Sequence, residues 1–313
     1  MSARLPANPF LLLVAASACW GVGTVLSKLA LDRGIAPITL LAVEMGASST
    51  VLLLALLVTT RFRPQIEPTA DLGRLVALGA LNPALGYALA LFGLVTVSAS
   101  LAVLVWAIEP AIVILLAVPL LRERTEARTV ALVFVAVAGA LLVLQGPGAQ
   151  GQVGGILLTL GAVTACALYT VLTRRMMLDD GSIVVVLGQQ VLAFVLVLLA
   201  LAVGVITRWY STSLPTDPAT LGLAAASGVV YYALAYVCYV AALRQVPAAV
   251  AVSVLPLIPV WGLAAAFLVG DRLSPAQWLG AAIVVLAVLA VALTPSGRED
   301  HHSSSTRAMR SDR

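Results

Sequence analysis

TVLSK at residues 24–28 closes a long uncharged run, and TVLTR at 170–174 closes another, 146 residues further on. At the same offset Glu44 falls on Gln190, and late in each half RERTEART at 122–129 corresponds to GDRLSPAQ at 270–277, an offset of 148. Several matches at nearly one spacing imply two halves of about 145 residues. Composition sets the solvent for this repeat. The 313 residues are 61% hydrophobic and 10% charged, with a mean hydropathy of +1.07, against about 25% charged residues in a soluble domain. Such a chain belongs in a lipid bilayer.

A helix crosses the hydrocarbon core with about 20 apolar residues, and breaks at charges, prolines and glycines mark ten such spans. In the first half they lie near 10–31, 37–59, 74–93, 97–121 and 127–145. In the second they lie near 152–173, 182–206, 218–242, 247–269 and 275–294. The chain divides into an N-terminal segment, 1–9, a first repeat, 10–146, a second repeat, 147–294, and a tail, 295–313, whose polar content predicts disorder. Five spans is an odd number, so the second half enters the membrane with opposite orientation. The predicted fold class is an all-α polytopic membrane protein of ten transmembrane helices in two inverted five-helix repeats.

With the N-terminus inside, 14 of the 18 basic residues fall in inner loops and termini. Arg33, Arg208 and Arg272 fall outside, and Lys28 lies within the outer end of the first span. The positive-inside rule therefore predicts an inner-membrane protein with both termini cytoplasmic. The net charge of +4 is accounted for by these loops and the tail, so no nucleic-acid partner is implied. Arg4 precedes the first apolar run as in a signal peptide, but no small-residue cleavage site follows, and the run reads as a retained span.

Cys19, Cys166 and Cys238 fall inside spans at no metal-binding spacing and read as small packing residues. His301 and His302 stand alone in the tail, short of the converging ligands a metal site needs. No metal or other cofactor is expected. Ala136 and Ala140, four apart in the fifth span, allow close helix approach, and both a monomer and a homodimer fit.

WGVGTVLSK at 20–28, the proline in the fourth span of each half, and GDRLSPAQWLGAAIVVLAVLAV at 270–291 resemble the drug/metabolite transporter superfamily, in its EamA-type ten-helix branch. The resemblance runs to about residue 294. It implies a central cavity lined by the first four helices of each half, a peripheral fifth helix, and export as the direction of transport. The chain departs from the pattern twice. The first-half Gly-Glu-Arg-Leu-Thr turn reads RERTEART, and an acid precedes the fourth-span proline. Within GDRLSPAQ, Ser274 and Pro275 read as a helix start, with Asp271 and Arg272 at the membrane surface.

Glu44 and Glu109 are the acids that fall within spans. Ionisable residues there face the bundle interior and suggest a substrate or ion pathway. Glu109 lies at the centre of its span. Pro110 lacks an N–H, which predicts a kink and leaves the carbonyl of Trp106 free beside the Glu109 carboxyl. Trp106 and Glu109, three apart, share a helical face. The competing reading is a protonated acid bonded to a neighbouring helix. Pro256 and Pro259 similarly free the carbonyls of Val252 and Leu255 without an acid, so the bend reads as scaffold.

Glu44 sits seven residues into its span, within reach of Lys28, so a structural ion pair competes with a substrate role. Gln190 is its neutral counterpart. Tyr232, Tyr236 and Tyr239, spaced by four and three, share one face of the eighth span, as packing or as cavity lining. Trp20, Tyr87 and Tyr169 are further candidates of the same kind.

H-E-x-x-H, Walker A and G-x-S-x-G sequences are absent, and no span contains a histidine. These absences argue against an enzyme. An intramembrane transferase would leave the inverted halves unexplained. A passive channel would show rings of like groups, whereas here two unequal halves carry one central acid. The expected function is secondary transport, with export implied by the resemblance. The expected cargo is a small amine-bearing metabolite such as an amino acid, with proton coupling through Glu109.

Overall fold

The computed structural model describes residues 8–60, 72–106, 108–121, 153–176, 183–208, 217–243 and 257–292, with scattered positions between 127 and 139. Most of the fifth span, Ala136, Ala140, Pro256, Val252, Leu255 and the tail lie outside the described residues. Among those described, every regular element is helical. Helices α1 (Pro9–Asp32) and α2 (Pro37–Thr60) have 24 residues each, about 36 Å at 1.5 Å per residue. That exceeds the hydrocarbon thickness of about 30 Å. Among the described residues, six segments of this kind are long and apolar enough to cross a membrane, and two shorter apolar helices accompany them. Large side chains such as Leu54, Leu57, Leu199, Val203 and Ile206 point outward, as a lipid-facing surface requires.

The third span is interrupted. It runs through α3 (Leu72–Ala77), a 3-10 turn at Leu78–Ala80, a π turn at Leu81–Leu85 and α4 (Gly86–Thr96). Asn82 inside the π turn is extended, at φ −148 and ψ 121. The eighth span repeats the device with α9 (Pro218–Gly228), a π turn at Val229–Leu234 and α10 (Ala235–Leu243). The two π turns begin 148 residues apart, the offset that relates RERTEART to GDRLSPAQ.

The fourth span is broken, which corrects the expectation of one kinked helix. Helix α5 (Ala99–Trp106) stops, and α6 (Glu109–Leu121) begins with Glu109 as its first residue. Pro110 is the second residue of α6, where an N–H has no intrahelical acceptor and its absence costs no bond. Trp106 and Glu109 therefore belong to different helices.

The second half continues with α7 (Val153–Met176), α8 (Ile183–Ile206), α11 (Ile258–Leu268) and α12 (Pro275–Ala292). Pro259 lies in the first turn of α11 and interrupts no bond of that helix. Asp271 does more than mark a surface turn. Its Oδ2 accepts the Ser100 N–H at 3.0 Å, capping α5 from the other half of the chain. Arg272 folds back over the Phe267 ring at 4.2 Å.

Packing joins the halves to each other. Helix α1 packs on α9, α10 and α11, and its counterpart α7 packs on α4, α5 and α6. Helix α2 packs on α8 and α9, and its counterpart α8 packs on α2 and on α3 with its turns. Helix α5 packs on α11. Exchanging the halves maps the contacts of α1 with α10 and α11 onto those of α7 with α4 and α6, and the contact of α2 with α9 onto that of α8 with α3, as a two-fold relation between repeats demands. One close crossing is likewise made twice. A Cβ on Gly228 would stand 2.5 Å from the Glu44 Cα, and one on Gly79 would stand 2.5 Å from the Gln189 carbonyl oxygen.

Outside the membrane, Asp217 caps α9. Its carboxylate accepts the Thr220 hydroxyl at 2.7 Å and the Thr220 and Ala219 N–H groups at 3.1 and 3.2 Å. The Thr220 hydroxyl, then the two backbone donors, hold the carboxyl below its ordinary value. A depressed folded value contributes stability above the unfolded pKa, and the contribution is lost as pH falls through the folded one. Asp217→Ala is therefore expected to lower the thermal midpoint at neutral pH, with the gap to wild type closing in acid. A gap of equal size at both pH values would contradict the cap.

Candidate functional site

The buried polar groups gather where the two halves meet. Glu44 of α2 is 0% exposed. Its Oε1 accepts the Ser27 hydroxyl from α1 and lies within hydrogen-bond distance of the Ser227 hydroxyl from α9, each at 2.6 Å. Its Oε2 has no partner among the described residues. The proposed pairing with Lys28 is not made. Lys28 Nζ lies 2.9 Å from Asp32 Oδ1, one turn along the same helix. Adjacent residues on a helix point about 100° apart, and on α1 it is Ser27 that faces α2.

Gln190 of α8 fastens three elements. Its Oε1 accepts the Ser48 hydroxyl, and its Nε2 donates to the Tyr232 carbonyl at 3.1 Å. Beside it, Gln189 accepts the Tyr169 hydroxyl at 2.7 Å and donates to the Leu75 carbonyl at 2.8 Å. Sequence reasoning singled out Gln190 and passed over Gln189, although the Gln-Gln pair inside an apolar span was the available signal.

Aromatic rings fill the space between these clusters. Tyr87 of α4 has its ring centroid 6.1 Å from Trp106, 5.4 Å from Tyr231 and 4.7 Å from Tyr232. Trp20 of α1 meets Tyr236 and Tyr239 edge-on, both at 5.5 Å. Tyr231 was not anticipated. A regular helix sends neighbours to different faces, but the π turn holds both Tyr231 and Tyr232 in the core.

Two narrow clefts lie along this layer. The first, about 20 Å³, is lined by Tyr87, Trp106, Tyr231 and Tyr232 with Thr24, Ser27 and apolar residues of α4 and α5. The second, about 10 Å³, is lined by Asn82, Pro83, Tyr169, Val186, Gln189, Gln190 and Tyr236. Asn82 is buried, and its Oδ1 has no partner among the described residues. The structure thus brings Tyr87, Trp106 and Tyr232 together, with Glu44 behind Ser27, and gathers Tyr169, Tyr236 and Gln190 in the second cleft. Trp20 lines neither. Glu109 also lines neither: it is half-buried at the α5–α6 break, within electrostatic range of Tyr231, Tyr239 and Cys166.

A polytopic helical bundle whose buried polar groups and clefts sit between two packed repeats defines the class of membrane transporters. The EamA-like transporter family model matches residues 8–145 and again 153–293, and the chain belongs to that family. It is 28% identical over 145 residues to "Uncharacterized transporter YwfM" of Bacillus subtilis (strain 168), a stretch that is 46% of this chain and 47% of that protein. The match thus spans about half of that curated relative. A solved structure titled "Crystal structure of protein" shares the fold, with a TM-score of 0.65 over 93% of this chain and 98% of that one at 18% identity.

Proposed function

We propose that the protein is a secondary transporter that exports a small amine-bearing solute, such as an amino acid, across the cell inner membrane by alternating access, with both termini cytoplasmic. The observation that carries this reading is the aromatic wall of the first cleft, where Tyr87 and Trp106 from one half face Tyr231 and Tyr232 from the other. Ring faces attract an ammonium group by about 2 kcal/mol in a desolvated site. Thr24 and Ser27 add hydroxyls that can orient the solute. Glu109, at the helix break beside this wall, supplies the negative charge that draws a cation inward. The exchange-symmetric packing supports alternation, because a bundle of two like halves has two equivalent ways to close.

The test is radiolabelled uptake into proteoliposomes for amino acids, amines and aromatic drugs, with and without a pH gradient. Saturable uptake of an amine-bearing solute, with counterflow and a response to the gradient, is the expected result. Glu109→Gln should raise the half-saturating concentration by about tenfold, the equivalent of 1.4 kcal/mol. Non-saturating flux without counterflow would instead identify a passive channel.

A further inference from the structure

The proton arithmetic around Glu44 singles out this acid. Ser227 Oγ lies 2.6 Å from Glu44 Oε1 and 2.8 Å from the Ala224 carbonyl, and both of these are acceptors when the carboxyl is ionised. A serine hydroxyl has one proton to give. An ionised Glu44 leaves one of these oxygen contacts without a hydrogen, although the Tyr232 phenol also reaches the carboxyl. A neutral Glu44 satisfies every contact to Oε1. Its O–H donates to Ser227 Oγ, Ser227 donates to Ala224, and Ser27 donates to Oε1. Neutralisation by a cation is not on offer among the described neighbours. Helix α1 presents Ser27 while Lys28 is engaged by Asp32, α8 presents Gln190, α9 presents Ser227, and the π turn presents the phenols of Tyr231 and Tyr232.

Ser27 also lines the first cleft, so a single hydroxyl separates the buried carboxyl from the space the solute would occupy. We propose that Glu44, rather than Glu109, carries the coupling proton, trading it with the cleft through Ser27; this rests on the transport reading given above. A hydronium ion entering the cleft gives a proton to Ser27 Oγ as Ser27 passes its own proton to Oε1 of the carboxylate, leaving water behind. The reverse sequence returns the proton, and only O–H bonds are made and broken. Ser27 and Glu44 belong to one half and Ser227 to the other. A rocking of the halves that parts Ser227 from Oε1 removes an oxygen that stabilises the proton, which ties release to the conformational change.

Infrared difference spectroscopy on the purified wild-type protein at neutral pH is the first arm. The expected spectrum has a protonated-carboxyl carbonyl band that shifts in heavy water, is lost in Glu44→Gln and is kept in Glu109→Gln. Ser27→Ala should retain the band and slow its exchange. An absent band, or one that survives Glu44→Gln, would overturn the proposal. The second arm is transport by the same nearly isosteric variant. Glu44→Gln should keep solute counterflow and lose acceleration by the pH gradient, and a gradient response that persists in it also overturns the proposal. If no solute moves in wild type, the transport reading fails, while the infrared arm still decides where the proton resides.

Discussion

Gly228→Leu is expected to prevent the native bundle from assembling, leaving little protein in the monodisperse fraction by size-exclusion chromatography. The crossing of α9 over α2 brings main chain against main chain between the halves, and the atoms a Cβ would meet at 2.5 Å are the Glu44 Cα and carbonyl oxygen. Both are main chain, so no rotamer change relieves the overlap. The helices must part, and the Ser227 contact with Glu44 parts with them. Overpacking a well-filled site costs about 1–3 kcal/mol when side chains can yield; here the backbone has to yield, and the cost lies beyond that range. Gly222→Ala is the control, because a Cβ there meets nothing within 4 Å. Replacing an exposed helical glycine with alanine favours the helix by about 1 kcal/mol. A Gly228→Leu protein with wild-type elution and thermal midpoint would show that the crossing is looser than described.

Tyr87→Ala carries the second large effect. Its ring touches three others, Trp106, Tyr231 and Tyr232, from both halves, and the residue is 5% exposed. Emptying such a position costs about 3–5 kcal/mol, the transfer and cavity terms together. The thermal midpoint should therefore fall well below wild type, and uptake of the preferred solute should saturate only at a much higher concentration. Tyr87→Phe keeps the ring and should keep both properties. If Tyr87→Ala is destabilised but its half-saturating concentration is unchanged, the ring is packing alone and the aromatic wall is not where the solute binds.

The spans were legible because a bilayer imposes long apolar runs, and α1, α2, α7 and α8 begin and end within a few residues of the predicted limits. The interruptions were not. Residues 97–121 form one long apolar run broken by Glu109, Pro110 and Pro119, and a proline marks a kink, a break or a helix start without distinguishing them: Pro110 stands at the start of α6 and Pro119 lies inside it. The first π turn carries Asn82–Pro83, a breaker visible in the sequence, but the second, VVYYAL, left no compositional trace, so Tyr231 was hidden behind a regular 3.6-residue period. The choice between an ion pair with Lys28 and another role for Glu44 was left open by the sequence for another reason. Reach along the helix axis allowed the pair, but rotation about the axis decided it, and the hydroxyl of Ser27, one residue earlier, took the position. Serines are easily overlooked inside membrane helices because they tolerate apolar surroundings by bonding their own backbone, as Ser17 does here.

The packing of each half against the other has a bearing on synthesis. When α2 enters the bilayer, Glu44 has one of its two serines at hand, on α1; the other lies 183 residues further along the chain. Until α9 arrives, the acid has to sit among lipids half-served, and α1 has none of the second-half helices that will bury it. Insertion of the first half is thus a waiting state, open on the side where the second half will dock. In this order of events the second half acts as the folding template for the first.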